Sequence, residues 1–190
     1  MFITLEGIDG SGKSTQSKNI ADWLKSRTQS PVILTHEPSY LRSVILGLQN
    51  LCAISELLLF LADRAEHVER EILPALSSGW SVVCERWNES TLAYQSGGHK
   101  LSESKIRELI RACEFPEPDV KIFLDIEPKT AMKRVNERGK KDKFEEEGLK
   151  LLSDVAEFYR GLPDMVRIEC DGRSEDEVFR EITRHLEELT

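Results

Sequence analysis

The run Gly7-Ile8-Asp9-Gly10-Ser11-Gly12-Lys13-Ser14 satisfies GxxxxGK[ST], and it lies between a short β-prone run, Phe2 to Leu5, and a segment of helical period bearing Ile20, Trp23 and Leu24. A strand that breaks into a glycine-rich turn and restarts as a helix suits few architectures. It reads as the first strand of a parallel α/β sheet, whose turn delivers the loop to the sheet's carboxyl edge. The residue types suit phosphate. Glycines let backbone N–H groups converge on oxygens, and a helix start adds positive potential. Lys13, in a solvent-facing loop, would reach the β and γ phosphates, and the Ser14 hydroxyl would bind Mg²⁺. Gly7, Gly10, Ser11, Gly12, Lys13, Ser14 and Thr15 are therefore the candidate ATP-phosphate ligands.

The rest of the chain continues the α/β alternation. Strands are expected at Phe2 to Leu5, Val32 to Thr35, Ser81 to Cys84, Val120 to Leu124 and Val166 to Glu169, most of them near-continuous apolar runs as in strands covered on both faces. Ile106, Leu109, Ile110 and Cys113 fall at i, i+3, i+4 and i+7, and Val178, Phe179, Ile182, Leu186 and Leu189 repeat that period. Leu151 to Leu162 marks another helix, and Ile54 to about Ser77 a long one interrupted by Pro74. Pro116 and Pro118 mark one loop and Gly97-Gly98 another. The order βαβαβαβαβα, without repeat or internal boundary, predicts a three-layer αβα domain with a five-stranded parallel sheet, and 190 residues suit a single domain over 1–190.

Charge and cysteine usage exclude several classes. Basic residues number 26 and acidic ones 34, so the net charge of −8 disfavours broad nucleic-acid binding. Cys52, Cys84, Cys113 and Cys170 form no CxxC pair, and they read as free, mostly buried thiols of a reducing cytoplasm. The longest apolar run, Leu57 to Ala62, is far short of a bilayer, and Glu6 and Asp9 interrupt the amino terminus before a signal peptide develops. No membrane association is expected. Among phosphate-loop proteins, a GTPase is disfavoured because no NKxD-type guanine-reading run is present, and a motor ATPase because of the chain's length.

Further pieces point to one family. They are Glu6 to Gln16, Glu37-Pro38, Leu58-Leu59-Phe60-Leu61-Ala62-Asp63-Arg64-Ala65-Glu66-His67, Glu85-Arg86-Trp87, Ser90-Thr91-Leu92-Ala93-Tyr94-Gln95, Phe123 to Ile126, and Arg134 with Glu137-Arg138-Gly139. In these residues, in order over nearly the whole chain, the sequence resembles the thymidylate kinases, P-loop nucleoside monophosphate kinases. The resemblance implies that Asp9 holds the acceptor sugar, Phe60 stacks on the base, Arg64 donates to a base carbonyl, and Arg86 clamps the acceptor phosphate. Glu85 would orient Mg²⁺ through water, and Thr91, Tyr94 and Gln95 would line the thymine and sugar pocket. Glu37 belongs to the same acceptor site.

Lys133 to Lys143 carries six basic residues against two acidic ones in an otherwise acidic chain. By the resemblance this is a lid, about residues 134–147, that closes over ATP with Arg134, while Arg138 stabilises the transferring phosphoryl group together with Lys13 and Arg86. Position 10 is Gly rather than Arg, so such cations have to come from the lid.

The sequence also departs from the family. The REPGGT run stands here as His36-Glu37-Pro38-Ser39-Tyr40, the stretch to Leu57 is short, Glu85 replaces an Asp, Trp87 a Tyr, and Lys143 a lid Arg. Arg42 is placed to supply a lost phosphate contact. The expected activity is phosphorylation of dTMP to dTDP with Mg²⁺ and ATP, by a cytoplasmic enzyme that the resemblance makes a homodimer, with the Leu57 to Leu61 helix available as interface. Two alternatives remain open at this level. A deoxynucleoside kinase would use a carboxylate such as Glu37 as base on a 5′-hydroxyl, and a degenerate ATP-binding protein would bind without turnover.

Overall fold

The computed structural model describes residues 1–28, 30–139 and 148–188. The strands are β1 Phe2–Glu6, β2 Val32–His36, β3 Ser81–Glu85, β4 Val120–Asp125 and β5 Val166–Glu169. They pair in parallel in the order β2-β3-β1-β4-β5. The helices are α1 Lys13–Thr28, α2 Arg42–Gly47, α3 Ala53–His67, α4 Leu73–Ser77, α5 Asn88–Thr91, α6 Glu103–Ala112, α7 Pro128–Arg138, α8 Gly148–Gly161 and α9 Glu175–Glu187. All five expected strands form, and the first four run one residue further than the apolar pattern did.

Strand alternation sorts the side chains into the layers. Ile3 and Leu5 share one face with Val83, Ile122, Leu124 and Ile168, and that face is covered by Ile20, Ala21 and Leu24 of α1 and by Val178, Ile182 and Leu186 of α9. On the opposite face Phe2, Val82 and Cys84 pack with Val68, Ile72, Ala75 and Trp87. There Phe123 stacks on Tyr159 of α8 at 5.1 Å. Burying each such side chain contributes about 1.5–3 kcal/mol, which is what holds the three layers together. Because every strand runs the same way, the carboxyl ends of β1, β2 and β3 open onto one crevice beside the reversal of strand order.

Three local expectations change. The long helix from Ile54 does not break at Pro74 itself. α3 passes through a π-helical turn at Val68–Ile72, and α4 then resumes with Pro74 in its first turn. Proline lacks an N–H and its ring crowds the carbonyl four residues back, so the widened turn lets the chain continue. Gly97-Gly98 is not a loop but the end of a π-helical segment, Leu92–Gly98, that continues α5. α8 lies so close that a Cβ on Gly97 would sit 2.6 Å from the Phe158 Cβ. Of the four cysteines, Cys84 and Cys170 are buried while Cys52 and Cys113 are exposed, so the thiols are not mostly buried. α2 and α7 have no counterpart among the expected helices; α2 is too short for a period to register. Among the described residues no helix is long and apolar enough to cross a membrane.

Candidate active site

A cavity of about 470 Å³ opens at the carboxyl ends of β1, β2 and β3. The loop after β1 forms its floor. Gly10 has φ +88°, and a Cβ there would lie 2.4 Å from the Ala131 carbonyl of α7, so no side chain fits at this position. The same approach lets Arg134 reach the Gly10 carbonyl at 3.4 Å. Lys13 is buried rather than solvent-facing, and its ammonium donates to the Gly7 and Ile8 carbonyls at 3.0 and 2.9 Å. Burial and the neighbouring Arg86 bring its pKa down to about 8 against the pull of Asp9, Glu85 and Glu6. The lysine is thus a strongly desolvated cation curled back on its own loop, ready to exchange carbonyls for phosphate oxygens.

Ser14 and Glu85 come together as expected. The Ser14 hydroxyl donates to Glu85 Oε2 at 2.8 Å, and Ser17 donates to Oε1 at 2.8 Å. Hydroxyl and carboxylate oxygens are the donor set that Mg²⁺ takes, so these residues fit the ion. Glu85 and Arg86, adjacent in sequence, do not pair with each other. Arg86 has φ +70°, a left-handed turn at the strand end that sends its side chain toward the loop. Its Nη2 donates to Asp9 at 2.5 Å and to the Tyr94 hydroxyl at 3.4 Å. Burial would raise the Asp9 carboxyl, but Arg86 and Lys13 outweigh it and hold it at about 2. Asp9 is therefore satisfied by side chains, and it stays ionised.

The acceptor side rests on buried charge. Arg64 is 2% exposed, and its Nε donates to Glu37 Oε2 at 2.7 Å, Nη1 to Asn88 at 2.9 Å, and Nη2 to the Trp87 carbonyl at 3.1 Å and Thr91 at 3.0 Å. Burial pulls its pKa down, and the Glu37 charge more than reverses that. The guanidinium also sits 5.0 Å from the Trp87 ring centroid, so the tryptophan serves as a wall for Arg64. The other Glu37 oxygen, Oε1, lies 3.1 Å from His67 Nδ1. The altered segment after β2 is pinned by buried Asp63, which accepts from the Ser39 and Leu41 amides at 2.8 and 2.6 Å.

All eight residues assigned by resemblance to the acceptor site, Asp9, Glu37, Phe60, Arg64, Arg86, Thr91, Tyr94 and Gln95, line this one cavity. So do Gly10, Gly12, Lys13, Ser14, Thr15, Glu85 and Arg134, whereas Gly7 and Ser11 lie behind the loop. The Arg138 side chain and residues 140–147 of the lid fall outside the described residues. Sequence reasoning missed Glu56 and His99 in the cavity wall. Glu56 accepts from Gln95 Nε2 at 2.8 Å, and His99 Nε2 lies 3.5 Å from the same oxygen. A glutamate inside the apolar Ile54 to Leu61 run was the available signal.

Residues 5–182 match the family model described as thymidylate kinase. A thymidylate kinase of Wolbachia pipientis wMel is 39% identical over 177 residues, covering 90% of this chain and 88% of that protein. One from Rickettsia typhi is 37% identical over 200 aligned positions, covering 97% and 96%. The crystal structure of thymidylate kinase from Ehrlichia chaffeensis superposes with a TM-score of 0.76 at 30% identity, over 98% of both chains.

Proposed function

The chain belongs to the thymidylate kinase family, and from that premise we propose that it acts as one kinase domain, transferring the γ-phosphoryl group of ATP to the 5′-phosphate of dTMP. One P–O bond to the ADP leaving group breaks as another forms to an acceptor phosphate oxygen. Because that oxygen is already anionic, no general base is needed, and the work is positioning and charge stabilisation. The observation that carries this reading is the state of Glu37. Both of its oxygens are engaged, by Arg64 and His67, so it is not poised to take a proton from a 5′-hydroxyl. Asp9, Glu56 and Glu85 are likewise bonded, to Arg86, Gln95 and Ser14.

Lys13 and the loop amides bind the donor phosphates, with Arg134 at the loop's edge. Arg86 offers the guanidinium edge away from Asp9 to the acceptor phosphate, and Arg42 at the start of α2 lines the same end of the cavity. Asp9, kept ionised, accepts from the sugar hydroxyl. Phe60 gives the base an aromatic face, with Arg64, Thr91, Tyr94 and Gln95 around it. Ser14 and Glu85 would hold Mg²⁺, which when bound neutralises charge on the phosphates. Arg138 and the basic lid complete the cationic cover on the strength of the family resemblance.

We read the enzyme as a cytoplasmic homodimer. Free thiols suit a reducing compartment. The expected interface needs revision, because Leu57 and Leu61 are buried in the chain's own core with Leu92 and Ile106. The outward stripe of α3 is instead Ile54, Leu58, Ala62 and Ala65, with Ile54 and Leu58 47% and 51% exposed. A second copy of the chain is the occupant proposed for it, and sedimentation of a monomer at micromolar concentration would remove the dimer.

Incubation with Mg·ATP and a panel of deoxynucleosides and monophosphates, with products identified by mass, tests the reaction. dTDP from dTMP is expected. Thymidine monophosphate from thymidine, with no dTDP, would overturn the assignment.

A further inference from the structure

We propose that Glu56 is a specificity-determining positioning residue: its carboxylate fixes which end of the Gln95 amide meets the pyrimidine, and so sorts a 4-keto base from a 4-amino base. The inference rests on reading the cavity as a pyrimidine nucleotide pocket and deepens it. Gln95 and Glu56 are 2% and 8% exposed, both line the cavity, and they join the π-helical segment Leu92–Gly98 to the first turn of α3. A primary amide has a donor end and an acceptor end of nearly equal shape, so what it recognises depends on which end is held. A carboxylate only accepts. The 2.8 Å bond therefore places Nε2 at Glu56, and Oε1 lies on the amide's other side. His99, 3.5 Å from the same Glu56 oxygen, adds a second tie to the carboxylate.

The orientation has consequences because the other groups nearby discriminate poorly. Arg64 donates in four hydrogen bonds to Glu37, Asn88, the Trp87 carbonyl and Thr91, which leaves it little capacity to read a base edge. The Thr91 hydroxyl can turn to donate or accept. An amide locked with its oxygen toward the ligand does discriminate. Thymine N3 bears a hydrogen that Oε1 accepts, whereas cytosine N3 presents a lone pair that Oε1 repels. Without the carboxylate the amide can invert and serve either base.

Steady-state rates with dTMP and dCMP at fixed Mg·ATP test this in the wild type and in Glu56→Gln, whose side chain can donate as well as accept. The ratio of kcat/KM for dTMP over dCMP is expected to fall about tenfold, the size of one inverted hydrogen bond. In a Gln95→Leu background, Glu56→Gln should leave the ratio unchanged, since the carboxylate would have nothing to orient. Equal losses on both substrates, or a shift that persists in the Gln95→Leu background, would overturn the proposal and leave Glu56 as a tie between two helices. If Glu56→Gln fails to fold, Gln95→Leu alone decides: a ratio equal to the wild type's sinks the idea. A wild type inactive on dTMP would instead overturn the proposed reaction beneath it.

Discussion

The donor and acceptor sides of one cavity are built by different physics. The phosphate loop is eight contiguous residues whose ligating groups are mostly backbone, shaped by glycines and closed by the approach of Ala131 to Gly10. The acceptor side is gathered from the end of β2, from α3, from the end of β3 and from α5, and buried ions hold it together: Glu37 with Arg64 and His67, and Asp63 with the amides of residues 39 and 41. Backbone sites tolerate the loss of a neighbouring side chain. A buried ion pair does not, because removing one partner strands the other charge away from water. The two sides should therefore fail differently when a single charge is removed.

The largest effect is expected on the donor side. Lys13→Ala should lower kcat at least 100–1000-fold, about the cost of losing one preorganised charge at a transferring phosphoryl group. Its melting temperature should move by only a few degrees. The lost bonds to the Gly7 and Ile8 carbonyls are offset by no longer burying an ammonium whose pKa burial has already brought to about 8. Turnover near wild type in a normally folded variant would break the comparison at its donor end.

On the acceptor side, Glu37→Gln should reverse the pattern. It leaves the guanidinium of Arg64 without its counter-ion, so about 3 kcal/mol of stability and roughly 10 °C in Tm are expected to be lost. The KM for dTMP should rise more than that for ATP, because Arg64 also anchors Asn88, Thr91 and the Trp87 carbonyl. A general-base role predicts the opposite: kcat nearly abolished at unchanged Tm. Calorimetry with steady-state kinetics on one preparation separates the two.

The same contrast explains what could be read from the sequence. The loop is local, so its residues and spacing announced it, and the strands were visible because parallel strands are apolar on both faces. The acceptor residues were reached by resemblance rather than by spacing: nothing in a linear reading brings Glu37, Arg64 and Asn88 together, since their contacts cross 24 and 27 positions of chain. Long-range burial also defeated the local rules at Lys13, placed in solvent by its loop, and at Gly97-Gly98, where a helix packing against α8 looks like a turn. Leu57 and Leu61 looked like an interface because an apolar run does not reveal which of its faces is already covered.

Glu6 joins the two sides, and it gives the smallest effect and the sharpest sign. It ends β1, one residue before the loop, and accepts from Ser90 of the cavity wall at 2.5 Å and from Tyr159 of α8 at 3.1 Å. Burial, with the charge of Glu89, raises its pKa to about 7, against the hydrogen bonds from Ser90 and Tyr159 and the positive charge of Arg86. Glu89 is itself paired to Lys121 at 2.8 Å. The folded state thus keeps a proton that the unfolded chain releases near the ordinary value of 4.5. Between those two pKa values the unfolded state binds fewer protons, so this group's contribution to stability is full below the lower value and declines as pH rises through the higher one. Glu6→Gln keeps the shape of the protonated form and cannot ionise. Its Tm should gain on the wild type as pH goes from 5 to 8, by roughly 2 kcal/mol or a few degrees. A difference that stays flat across that range would mean that Glu6 is already ionised in the folded protein, and that the wall behind the phosphate loop carries a buried negative charge which Arg86 has to balance along with Asp9.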